Sequence, residues 1–178
     1  MKGLALLFKF MTRLPFPGGK TFDSKALGKG MKWFPIVGLV IGVINLVVAV
    51  VLETFIPSPI LIGIILVTLD VIMTGGLHLD GLADTFDGIF SYRSKQKMLE
   101  IMKDSRVGTN GVLVLILYFI FKIAFLVETS ELFGINQGVI MLIVPVLARI
   151  NSVVNCALEP YARVTGMGKT FVDNTDKG

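Results

Sequence analysis

The chain has 178 residues, 53% of them hydrophobic, a mean hydropathy of +0.78 and a net charge of +4 at pH 7. That apolar content excludes an ordinary soluble domain and predicts an all-α, polytopic membrane protein forming a single integral membrane unit over residues 1–178. The basic balance, with a pI of about 9.3, does not point to nucleic acid, because the positive residues follow the membrane connections instead.

The first eleven residues, MKGLALLFKFM, place Leu4, Leu7, Phe8 and Met11 on one helical stripe with Lys2 and Lys9 off it, which predicts a short amphipathic helix lying on the membrane surface. Lys9 interrupts the apolar run and no small-residue cleavage site follows, unlike a secretory signal. The prolines of Thr12-Arg13-Leu14-Pro15-Phe16-Pro17 stop that helix. Four spans are then predicted, at residues 33–52, 60–78, 111–127 and 137–157, each near the ~20 residues a bilayer crossing needs. Residues 1–32 hold seven Lys or Arg, the 53–59 connection none, 79–110 five, 128–136 none, and the tail from Ala157 three. This alternation predicts a plasma (inner) membrane protein whose N-terminus, 79–110 segment and C-terminus are cytoplasmic. The lone Cys156 offers neither a disulfide framework nor a thiol-based zinc site.

Residues 75–111 pack five carboxylates and five basic side chains between two apolar spans. An uncompensated charge in hydrocarbon costs roughly 2.5–3.5 kcal/mol on insertion scales, so this block needs water or a ligand. Asp80, Asp84 and Asp87 stand at i, i+4 and i+7, on one face of a predicted helix. Three like charges so placed repel, and a divalent cation would compensate them; a solvated helix surface is the other reading. Oxygen ligands without nearby Cys favour Mg²⁺ or Mn²⁺ over zinc, and Mg²⁺ recruits phosphate oxygens to complete its octahedron. Gly81 and Gly88 beside the acids leave room for a phosphate. Farther on, Glu100 and Asp104 are again i and i+4, next to Lys103 and Arg106, in a second predicted helix closed by Arg106-Val107-Gly108. That helix reads either as a surface ion-pair network or as the opposite wall of a phosphate cavity, with the Arg106 fork as an anion donor.

Several polar residues fall inside the predicted spans. Asp70 shares a stripe with Thr74 and His78, and is either functional or paired with a neighbouring span. His78, the single histidine, suits a hydrogen-bonding position or a base. Arg149, Ser152, Cys156 and Glu159 form a polar stripe in the fourth span, which Pro145 is predicted to kink, and Arg149 can either pair with Asp70 or hold a phosphate. Gly38 and Gly42 have small-xxx-small spacing, suited to helix packing.

The run HLDGLADTFDG at 78–88, followed by IMKDSRVGTNG at 101–111, resembles the signature of the cobalamin synthase family, the adenosylcobinamide-GDP ribazoletransferases. FMTRLPFP at 10–17 and EPYARVTGMG at 159–168 agree with it, so the resemblance runs the length of the chain. It implies a Mg²⁺-dependent integral membrane enzyme that joins adenosylcobinamide-GDP to α-ribazole or its 5′-phosphate, releasing GMP. By that resemblance Asp80, Asp84 and Asp87 would hold Mg²⁺ on the pyrophosphate, with Asp104 and Glu100 completing or tuning the site. Arg106 and Arg13 would stabilise the departing GMP phosphate, and Asp84 or Asp87 would accept the proton of the ribazole 5′-hydroxyl. Tyr161 and Arg163 would contact substrate. The lipid bilayer and other cobalamin-pathway proteins are the implied partners.

Family members usually continue past the GMG motif into further hydrophobic segments, whereas this chain ends in FVDNTDKG, so the expectation is a unit lacking the C-terminal spans. Three rival readings remain, one of them a non-catalytic assembly subunit. A CDP-alcohol phosphotransferase would carry Ala-Arg after its Asp-Gly, but Asp80-Gly81 is followed by Leu82-Ala83-Asp84. A cation transporter would use Asp70 and the acids as an ion path, yet the acids are flanked by basic residues, which suits phosphates better.

Overall fold

The computed structural model describes residues 2–17, 23–163 and 165–175, and every regular element among them is helical. Helix α1 (Lys2–Met11) leaves Lys9 exposed, but its apolar stripe, expected to face the membrane surface, is buried in the protein's own core, where Leu7, Phe8 and Met11 pack with Leu27, Phe34 and Val37. Behind it the chain turns at Thr12, whose hydroxyl donates to the Phe8 carbonyl at 2.8 Å, and Phe16 folds back to stack on Phe8 at 4.5 Å. Asp23 caps the short α2 (Ser24–Lys29), accepting the Ala26 N–H at 3.0 Å, and a 3₁₀ turn (Gly30–Trp33) leads into α3 (Phe34–Glu53).

Helix α3 packs along α8 (Gln137–Leu158) with their backbones in near contact. A Cβ added at Gly38 or Gly42 would fall 2.6 Å from the carbonyl oxygen of Pro145 or Leu142 respectively. The small-residue spacing read in the sequence therefore serves packing within the chain. Pro145 sits inside α8, where it leaves one backbone carbonyl without its helical donor.

Ser58 caps α4 (Pro59–Thr74), with proline at the first helical position, where a missing N–H costs nothing. The expected span to His78 is cut short here. Gly75 and Gly76 take φ of +64° and +73°, a left-handed pair open to glycine, and α5 (Leu77–Ile89) leaves at 91° to α4. Asp70, Thr74 and His78 consequently share no continuous stripe. Helix α6 (Lys95–Ile101) is also shorter than expected: it ends before Asp104, so Glu100 and Asp104 do not form an i, i+4 pair on one helix.

The third and fourth spans appear as α7 (Thr109–Phe133), closed by Gly134 at φ +61°, and α8, capped by Asn136. The chain after the PYAR motif forms α9 (Met167–Asn174), which the polar composition did not suggest. Its Phe171 is buried in the cluster formed by Leu7, Phe34 and Val37. A second cluster, around Ile62, Leu66, Leu126 and Met141, joins α4, α7 and α8.

Among the described residues, Ser24–Glu53, Thr109–Phe133 and Gln137–Leu158 are long and apolar enough to cross a membrane, and the bent α4–α5 pair makes a fourth if counted as one span. Large apolar side chains such as Ile116, Ile120, Phe121 and Phe125 stand exposed along α7, as lipid-facing residues do. The charged residues of the spans meet one another instead. Lys122 donates to Asp70 at 2.7 Å, and Arg149 is buried within electrostatic reach of Asp70. Gln137 donates to the Pro59 carbonyl at 3.0 Å, tying the start of α8 to the start of α4. The carboxylate that an ion path would use is thus held in an ion pair.

Candidate active site at the α4–α5 break

The break at Gly75–Gly76 opens a cavity of about 480 Å³, lined among others by Lys9, Arg13, Gly75, Gly76, Asp80, Val107 and Leu115. Its position follows from three local events. Proline-rich chain after α1 runs back along the end of α4, where the Arg13 N–H donates to the Met73 carbonyl at 2.7 Å. The Arg13 side chain then crosses the face of Gly75, so closely that a Cβ there would fall 2.5 Å from Nε. Finally, the left-handed pair turns the start of α5 into the same space, and Asp80 closes the first helical turn by donating its N–H to the Gly76 carbonyl at 2.9 Å.

The amides ahead of Asp80 have no acceptor within the helix, and the helix dipole adds partial positive charge at that end. With Arg13 and Lys9 alongside, this wall suits a phosphate. Asp80 supplies the acidic counterpart, and Asp84 follows one turn later on the same face. Burial holds the Asp84 carboxyl above its ordinary range; the neighbouring charges of Asp80 and Asp87 add to this, and Arg163 opposes it.

The five predicted acids divide into separate arrangements. The carboxylates of Asp80 and Asp84 accept no hydrogen bond and join no ion pair among the described residues. Asp87 turns toward α7, where its two oxygens accept the N–H groups of Gly108 at 2.7 Å and Gly111 at 2.8 Å. Asp104 is taken by Arg106 in a forked pair, with contacts of 3.0 Å to Nε and 2.6 Å to a terminal nitrogen. Those bonds hold the Asp104 carboxyl down at about 2. Glu100 pairs with Lys97 at 2.9 Å on the exposed face of α6. Among the described residues no group of three or more His, Cys, Asp or Glu side chains is arranged to hold a metal ion.

The donor set therefore does not make a closed protein cage. Asp80 and Asp84 are the carboxylates that could hold a divalent cation such as Mg²⁺, an ion that usually binds through one or two carboxylates and completes its shell with water and phosphate oxygens.

The predicted basic and aromatic residues also separate. Arg13 reaches the cavity, and Arg163 lies near Asp84 while donating to the Leu99 carbonyl at 3.3 Å, bridging the α8–α9 connection to α6. Arg106 points into solvent with its pair, although the next residue, Val107, lines the cavity. Tyr161 packs over Gly166 and Gly168, at the start of α9. Sequence reasoning did not assign Lys9, Val107 or Leu115 to the site. The Gly75-Gly76 dipeptide was the available signal, since adjacent glycines mark turns.

Fold and site define a helical membrane protein built around a cavity with one cationic and one acidic wall. The chain belongs to the cobalamin-5-phosphate synthase family, whose model matches residues 3–178. It is 52% identical over 184 residues to an adenosylcobinamide-GDP ribazoletransferase of Fusobacterium nucleatum, an alignment covering 98% of this chain and 64% of that protein. Proteins with the same name from Acetivibrio thermocellus and Alkaliphilus oremlandii are 44% and 41% identical, covering 97% and 98% of this chain and 68% of each relative. The chain thus spans about two thirds of the length of these curated relatives. No solved structure matches it.

Proposed function

We propose that the chain forms the phosphate-transfer site of an enzyme that moves the adenosylcobinamide phosphate moiety from adenosylcobinamide-GDP to α-ribazole or α-ribazole 5′-phosphate, releasing GMP. The observation that carries this reading is the meeting of Arg13, the α5 N-terminus and Asp80 in one cavity, all within the residues the family model matches.

Attack of an alcohol on a pyrophosphate needs the phosphate charges neutralised and the reacting oxygens held in line. Arg13, Lys9 and the first amides of α5 bind the diphosphate and fix its orientation. Asp80 and Asp84 would hold Mg²⁺, which supplies charge neutralisation on the phosphate oxygens. Asp84 accepts the proton of the attacking ribose hydroxyl, which must be one that is free in both acceptors and so is not the 5′-hydroxyl expected from the sequence; the Asp84 carboxylate accepts no hydrogen bond among the described residues, whereas both oxygens of Asp87 already accept backbone N–H groups. Arg163, beside Asp84, contacts the incoming substrate, and Tyr161 shapes the loop that carries it. Asp104, Arg106 and Glu100 are held in exposed ion pairs and take no part in this step. The alternation of basic residues supports a site on the cytoplasmic side of the inner membrane, together with both termini.

The test is GMP release by the chain in lipid nanodiscs, supplied with adenosylcobinamide-GDP, α-ribazole 5′-phosphate and Mg²⁺. Release is expected to require all three and to fall by about 100-fold in Asp84→Asn, the scale of losing a general base. A similar loss is expected in Arg13→Ala, the scale of losing a donor to a developing anion. Release that persists in Asp84→Asn, or that ignores the ribazole substrate, refutes the assignment.

A further inference from the structure

Asp87 stands on the acidic face of α5, yet its carboxylate belongs to another helix. Oδ2 accepts the N–H of Gly108, the residue before α7, and Oδ1 accepts that of Gly111, inside its first turn. These amides have no intrahelical acceptor, and a carboxylate beside them also faces the positive end of the helix dipole. A cap of this kind ordinarily comes from the residue just ahead of the helix. Here that residue is Gly108, with no side chain to offer, and the carboxylate comes from 21 residues upstream.

The approach depends on two glycines. A Cβ at Gly108 would fall 2.5 Å from Asp87 Oδ1, and one at Gly111 would fall 2.5 Å from Oδ2 and 3.2 Å from the Ala83 side chain. The capped segment also builds the cavity, because Val107 and Leu115, just before and within α7, line it together with Asp80.

We infer that Asp87 is a positioning residue: by capping α7 from α5 it sets the Val107 and Leu115 wall against Asp80 and Asp84, and Gly108 and Gly111 are the positions that admit it. This rests on the reading of Asp80 and Asp84 as the reacting site. It also distinguishes Asp87 from its two neighbours, with which the sequence groups it as a metal ligand.

The test compares Asp87→Asn, Asp87→Glu, Gly111→Ala and Asp84→Asn in the chain held in nanodiscs. Three readouts are taken: amide exchange at residues 108–111, Mn²⁺ binding followed by electron paramagnetic resonance, and kcat and KM of GMP release. In Asp87→Asn, exchange at Gly108 and Gly111 is expected to accelerate by about tenfold or more, as local opening becomes easier. Mn²⁺ affinity is expected to stay within about threefold of the parent, while kcat falls by about 100-fold at unchanged KM, the scale of a displaced reacting group. Asp87→Glu, which keeps the charge at the helix start, recovers part of both protection and kcat. Gly111→Ala reproduces the Asp87→Asn pattern, and the double variant is no worse than the poorer single, because both remove one contact.

Asp87→Asn that loses Mn²⁺ as Asp84→Asn does, or that leaves both amides protected, overturns the inference. A parent chain that neither binds Mn²⁺ nor releases GMP removes the reading of Asp80 and Asp84, while the exchange measurement still decides the role of Asp87.

Discussion

Replacing Asp70 by Asn is expected to destabilise the helical bundle about twice as much as replacing Lys122 by Met. The Lys122 ammonium lies 2.7 Å from Asp70 Oδ2, with side-chain exposures of only 18% and 16%. At an effective dielectric of 20, two unit charges at that distance attract by about 6 kcal/mol. Most of this offsets the loss of hydration, and removing one partner of such a pair costs about 3–5 kcal/mol, because the survivor stays buried and charged. The two survivors differ here. Arg149 is 9% exposed, its Nε has no hydrogen-bond partner among the described residues, and it lies within reach of Asp70. Lys122→Met leaves Asp70 facing Arg149, an opposite charge, and is expected to cost about 2 kcal/mol; Asp70→Asn leaves two cations together and is expected to cost about 4 kcal/mol. Unfolding in mixed micelles of rising SDS content, followed by fluorescence of the single tryptophan, Trp33, measures both. Equal costs, or a smaller cost for Asp70→Asn, would refute the idea that one carboxylate serves two cations.

Gly42→Val is expected to destabilise by about 2 kcal/mol in the same titration, because α3 must back away from the Leu142 carbonyl, 2.6 Å from the added Cβ. Gly75→Ala is expected to cost about 1–2 kcal/mol for left-handed backbone and to displace Arg13, raising KM for the GDP-linked substrate in GMP-release kinetics. Asp104 is depressed in the folded chain, so the stability it adds is present above its unfolded value of 3.8 and is lost as pH falls through about 2. Carboxyl-carbon NMR in micelles is expected to place its titration near 2, and Arg106→Gln to return it toward 3.8.

The spans were legible because apolar length is a local property: α3, α7 and α8 begin and end within a few residues of their predicted bounds, α7 excepted at its C-terminal end. The acidic face of α5 was legible for the same reason, since helical spacing fixes which side chains share a face. What the sequence hid is long-range. The partner of Asp70 is 52 residues away, and the amides that take Asp87 are 21 and 24 residues away. Arg13 reaches Gly75 only because the chain after α1 returns along α4. Apart from the two glycines nothing in the composition of residues 75–78 marks the break, and only their backbone conformation turns the helix. Helix α9 was missed because a single buried aromatic, Phe171, anchors an otherwise polar segment.

The break has a consequence for the surrounding lipid. Helix α4 has 16 residues, about 24 Å at 1.5 Å per residue, less than the ~30 Å of an average hydrocarbon layer. With α5 turned by 91°, the shortfall is not made up by prolonging the helix. Counted as one broken span, the α4–α5 pair requires the bilayer to thin around α4, or hydrocarbon to cover the start of α5 and the cavity mouth. Acyl-chain length thereby sets the solvation of Asp80 and Arg13, and the chain is expected to be most active in bilayers of short acyl chains.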